Sequence, residues 1–170
     1  MKLAKKTLAL FLAILLLLSM TSFSVFAKES GEAIPDGILS QNPGYGEGLY
    51  SINSNTRATN LINRSELTIA QVDNHGLRVN FATGAVTTMA EIGGKNLTIQ
   101  RWENNKWVTV CKSDQIAKDR FFHSGSYYSP TGLPTGYYYR ATMQHYAKEQ
   151  GRFFPSSQKF YNETTIILLQ

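Results

Sequence analysis

The sequence predicts an all-β, antiparallel domain over residues 60–170, on three observations. Short apolar and β-branched runs recur about every ten residues, turn-forming Gly, Asn and Asp separate them, and no stretch shows the 3.6-residue apolar period of an amphipathic helix.

What precedes that domain is of another kind. Lys2, Lys5 and Lys6 stand before an apolar run over 8–20, and Val25-Phe26-Ala27 offers small residues for cleavage, the three parts of a secretory signal. The run is shorter than the ~20 apolar residues of a comfortable membrane span. Residues 1–27 are therefore read as a signal peptide of Gram-positive type cut after Ala27. The expected address is secreted and extracellular, with no stable membrane anchor once the signal is gone. Residues 28–59 are rich in Gly, Pro and polar side chains and lack a strand or helix period, so they read as a flexible, disordered leader.

The strands follow in order. Residues 66–72 (ELTIAQV) alternate apolar and polar side chains, and Asp73-Asn74-His75-Gly76 makes a tight turn. Residues 77–82 return with Leu77, Val79 and Phe81 on one face, 86–92 follow, and Gly93-Gly94 ends that run. Residues 96–102 (NLTIQRW) and 106–112 (KWVTVCK) form a hairpin at Asn104-Asn105, a pair that accepts positive φ. Residues 121–128, 137–147 and 158–169 complete about eight strands, a number and spacing that suit a two-sheet antiparallel sandwich of immunoglobulin or fibronectin type III kind, with a small barrel as the alternative. The run Tyr139-x-Ala141-x-Met143 resembles the penultimate strand of fibronectin type III domains.

Alternation along 137–147 puts Tyr137, Tyr139, Ala141, Met143, His145 and Ala147 on an inner face and Tyr138, Arg140, Thr142, Gln144 and Tyr146 on an outer one. The hairpin arithmetic pairs Trp102 with Trp107, Arg101 with Val108 and Ile99 with Val110. Both indoles then share a face with Thr98, Gln100, Thr109 and Cys111. The strand carrying Tyr138 and Arg140 is the expected neighbour, so Trp102, Trp107, Tyr138 and Arg140 are the candidate ligand-binding residues. Such a surface stacks on sugar rings or clasps a partner. The plainer reading is a cross-strand Trp pair that steadies its own hairpin.

Charge and motifs narrow the function. Removing Lys2, Lys5 and Lys6 from 17 bases against 12 acids leaves a net charge of +2, which argues against a nucleic-acid partner. His75, His123 and His145 lack metal-ligand spacing, so no metal is expected. Cys111 lies in an expected strand rather than at a helix N-terminus, which argues against a catalytic Cys–His pair, and as the only cysteine it forms no internal disulfide. No phosphate-cradling Gly loop or nucleophile elbow occurs, so neither cofactor nor catalytic residue is assigned. Leu133-Pro134-Thr135-Gly136 lacks the variable residue of a sortase signal and reads as a turn.

The strings LTIQRWENNKWVTV and GYYYRATMQHYAKEQG are similar to those of a family of small secreted proteins from spore-forming Gram-positive bacteria, catalogued as a domain of unknown function. The resemblance spans about residues 60–169 and implies a β fold and an extracellular address, with no activity attached. The expectation is a non-catalytic binding or surface-interaction module whose partner is cell-wall polysaccharide or a surface protein. The alternatives are an antibacterial or membrane-active effector, which calls for a basic charge or an amphipathic helix that the chain lacks, and a lectin-like hydrolase, which needs two carboxylates in one groove.

Overall fold

The computed structural model describes residues 34–51, 61–151 and 153–170. The expected signal peptide and part of the expected leader lie outside the described residues.

Seven strands run through the described chain: β1 (Tyr45–Glu47), β2 (Ile62–Val72), β3 (Gly76–Glu103), β4 (Lys106–Tyr128), β5 (Tyr138–Lys148), β6 (Ser157–Glu163) and β7 (Ile167–Leu168), with no α-helix among them. The all-β antiparallel class expected from the sequence holds. Where two sheets were expected, however, the strands join into one hydrogen-bonded sheet.

β3 explains how one sheet makes a layered body. One of its edges pairs with β4 along most of its length, while the other pairs with β2 as far as Ala85 and with β5 from Glu91 to Arg101. Between those stretches, residues 85–88 have no partner on β4. There the ribbon bends, and the two halves of β3 come face to face. Leu77, Val79 and Phe81 from the first half share a core with Leu97 and Ile99 from the second and with Tyr139, Ala141 and Met143 of β5. A smaller cluster of Ile62, Ala85, Met89, Ile92 and Ala147 fills the bend. Three strands expected within 77–102 are thus one, and 106–112 and 121–128 are both parts of β4. Gly93-Gly94, expected to end a strand, lies instead within β3 beside a register shift, as Gly84 does, and both places bend a continuous strand.

The expected leader also needs correction. Within it, Tyr45–Glu47 forms β1 against β2, and its free edge takes the chain beyond β6, where Thr165 N donates to Glu47 O and Leu49 N to Glu163 O, each at 2.7 Å. The glycines that suggest flexibility are required by this squeeze. A Cβ on Gly46 would stand 2.7 Å from Thr165 O, and one on Gly48 would stand 2.9 Å from Leu67 O. The buried Asn162 side chain continues the pairing, donating from Nδ2 to Tyr50 O at 2.7 Å and accepting from Tyr50 N at 3.2 Å. Residues 45–50 thereby close the curl between β2 and the C-terminal segment.

Candidate functional site

The β3–β4 hairpin turns at Asn104 and Asn105, whose φ values of 53° and 57° suit a two-residue turn of twisted strands. Trp102 pairs with Trp107 and Arg101 with Val108, as the sequence arithmetic requires. The rings of the two tryptophans meet edge to face with centroids 5.3 Å apart.

One residue further along, the register departs from expectation. Ile99 pairs with Cys111 while Gln100 pairs with Thr109, so Val110 is an extra residue on β4. A one-residue bulge moves all that follows to the opposite face. Cys111 therefore leaves the Trp-bearing face and packs against the core cluster that contains Ile99. Burial pushes its thiol pKa up, against smaller opposing effects of hydrogen bonds to Tyr127 and the Ile99 backbone.

The neighbouring strand is β5, with Gln100 opposite Arg140 and Arg101 opposite Tyr139. The Arg140 guanidinium lies 4.3 Å over the ring of Trp107. Its Nε donates to Gln100 Oε1 at 2.9 Å and its Nη1 to Glu163 Oε2 at 3.0 Å. Tyr161 Oη donates to the same Glu163 oxygen at 3.3 Å. Burial holds the Tyr161 pKa above its usual value, and the Glu163 charge adds to the effect. Beside this network, Thr98 and Thr142 share a hydrogen bond of 2.7 Å. Trp102, Trp107 and Arg140 thus form one contact chain, and Tyr138 lies on the same side of β5; all four are half-buried.

Sequence reading put Gln100 on the face of the indoles without its bond to Arg140, and it missed Glu163 and Tyr161 as parts of this cluster. The alternation of Tyr161 with Glu163 in QKFYNE was the available signal, but their neighbour across the sheet depends on long-range register.

The same sheet has a second receptive surface. On the outer face of β2, β3 and β4, a cleft of about 450 Å³ is lined by Arg64, Glu66, Asn80, Phe122, Ser124 and Ser126, among others. It adjoins one of about 210 Å³ that holds Glu47, Tyr50 and Glu66. Ser126 Oγ donates to Asn80 Oδ1 at 2.7 Å, and Arg64 binds Glu66 Oε1 at 2.6 Å.

The three histidines do not converge. His75 is exposed on the turn after β2, and His123 stacks edge to face on Phe81 with centroids 5.4 Å apart. His145 is fully buried, and its Nδ1 lies 2.7 Å from Thr83 Oγ1, whose own proton goes to Gly93 O at 3.0 Å. Nδ1 must then carry the ring proton, leaving Nε2 as a buried acceptor with no partner. Burial lowers the His145 pKa to about 4. Among the described residues, no three His, Cys, Asp or Glu side chains gather as a metal site.

Compared with family models, curated proteins and solved structures, the chain matches none.

Proposed function

We propose that the chain is an exported, non-catalytic binding module that holds a cell-wall polysaccharide against the face formed by Trp102, Trp107, Tyr138 and Arg140. The observation that most directly supports this is the fixing of Arg140, which rests 4.3 Å over Trp107 while Gln100 and Glu163 hold two of its nitrogens. A surface ordered before binding loses little side-chain freedom when a ligand arrives, and Trp, Tyr and Arg dominate interface energetics. Trp102 and Tyr138 offer rings for stacking on a sugar, and Arg140 Nη2 offers donors for its hydroxyls. A surface protein is the other partner that this chemistry suits.

The extracellular address rests on the export signal read at residues 1–27. Kinship with the small secreted proteins of spore-forming bacteria belongs to the same proposal. So does a finer likeness to immunoglobulin or fibronectin sandwiches, for which the two facing layers speak.

A hydrolase reading has one observation in its favour, since Glu47 and Glu66 line one cleft. Both residues are exposed, whereas a carboxyl that must keep its proton near neutral pH needs shielding from water. The binding reading is therefore preferred.

The test is co-sedimentation of the exported chain with isolated cell walls and insoluble polysaccharides, beside a Trp102→Ala/Trp107→Ala variant shown to be folded by circular dichroism. The expected result is retention of the parent and a loss of about tenfold or more in the variant. Equal retention of both, or of neither, overturns the assignment.

A further inference from the structure

The β5–β6 connection presents the most exposed aromatic residues of the described chain. Glu149 N donates to Ser156 O at 3.0 Å and closes the loop, and Ser156 N donates to Glu149 Oε2 at 3.3 Å. Beyond that closure Phe153 is 99% exposed and Phe154 88% exposed. Their rings meet each other edge to face with centroids 6.0 Å apart. Large apolar side chains are seldom left so open, and a pair at one loop tip marks a place that is covered in use.

The loop does not stand alone. Gln150 Nε2 donates to Asp119 Oδ1 at 2.7 Å, which ties the loop to the bend of β4. That bend carries Phe121, 63% exposed, and the facing bend of β3 carries Val86, 57% exposed. Bases lie on the strands that flank this end. Lys118 and Arg120 flank Asp119, Lys148 ends β5, and Lys159 lies opposite Tyr146 on β6. None of these four bases is in an ion pair among the described residues. Of the local acids Glu91 pairs with Lys95, and Asp119 and Glu149 keep their charge while accepting from Gln150 and Ser156, so the four bases outnumber them and leave this end with a positive excess.

We infer that this end of the molecule docks reversibly on an anionic lipid surface, with Phe153 and Phe154 entering the headgroup–acyl boundary while Lys118, Arg120, Lys148 and Lys159 meet lipid phosphates. Apolar side chains at a tip, on an end of the molecule where bases outnumber acids, are complementary to that boundary in depth and in charge. No helix among the described residues is long and apolar enough to cross a membrane. This inference is independent of the Trp102–Trp107 face.

The test is co-sedimentation of the exported chain with phosphatidylcholine vesicles containing about 30% phosphatidylglycerol, and with pure phosphatidylcholine. A Phe153→Ser/Phe154→Ser variant, a Lys148→Gln/Lys159→Gln variant and the Trp102→Ala/Trp107→Ala variant are run beside it, each checked for folding by circular dichroism. All carry the same N-terminus, so differences belong to the substituted residues. Expected are parent binding to the anionic vesicles, a loss of about tenfold or more in the serine variant, a smaller loss in the glutamine variant that salt mimics, and parent-like binding by the alanine variant. Vesicle binding that the serine variant retains in full overturns the inference. So does failure of the parent to bind vesicles, including the case where Phe153 and Phe154 instead retain a protein.

Discussion

Two hairpin tips of this protein each carry a pair of aromatic residues, and the sheet treats them in opposite ways. At the β3–β4 tip the rings of Trp102 and Trp107 are half-buried, and Arg140 from β5 lies across one of them. At the β5–β6 tip the rings of Phe153 and Phe154 meet one another and are otherwise open. The difference lies in what runs alongside. β5 follows β3 up to Arg101, one residue short of Trp102, so the first tip receives a neighbour, whereas the second projects beyond the loop closure at Glu149 and Ser156. Aromatic density is therefore not by itself a sign of a site; the neighbouring strand decides whether it becomes a clasp or a contact surface.

The strongest way to break this comparison is to loosen the strand both tips depend on. His145 lies within β5, and burial lowers its pKa from 6.5 to about 4. Above pH 6.5 it is neutral in both states, so its full contribution to stability is present. As pH falls through 6.5, the unfolded chain takes up a proton that the folded chain refuses. Stability then declines by ~1.4 kcal/mol per pH unit towards pH 4, about 3 kcal/mol in all. Urea unfolding followed by Trp fluorescence at pH 6.5 and 5 should show about half of this loss, and a His145→Gln variant should show a flatter slope.

Removing the clamp itself comes next. Arg140→Ala leaves Glu163, whose side chain is only 23% exposed, without its cation and strips the guanidinium from Trp107. A loss of about 2 kcal/mol is expected in urea unfolding, with a shift in Trp emission. The smallest effect sharpens the contrast. Phe153→Ser/Phe154→Ser removes more apolar surface than Arg140→Ala, yet it should change stability by no more than about 0.5 kcal/mol, because that surface is not buried by the fold.

Local chemistry was legible in the sequence. Asn104-Asn105 located the turn, the Trp pairing followed by counting, and alternation assigned the two faces of β5. What could not be read depended on partners distant in the chain. The extra residue at Val110, which turns Cys111 inward, leaves no mark in the alternation of KWVTVCK. Gly46 and Gly48 have the composition of a loop, and only the approach of Thr165 and Leu67 shows that their lack of a side chain serves packing. Phe153 and Phe154 lie in a turn-rich stretch where strand periodicity is silent, and Glu47 and Glu66 come from segments that sequence order alone does not bring together.

The closure of the curl also shapes how the protein acquires its structure. Glu47 N donates to Thr165 Oγ1 across 118 residues of chain, whereas the β3–β4 hairpin needs only a two-residue turn. Closing so long a loop carries an entropic cost that must be met before its contacts give any return, and distant pairings of this kind slow folding. The hairpin can form while the chain is still emerging. β1 can pair early with β2, but its other edge has to wait for Thr165, so the seam between residues 45–50 and 163–165 is the natural final step of folding.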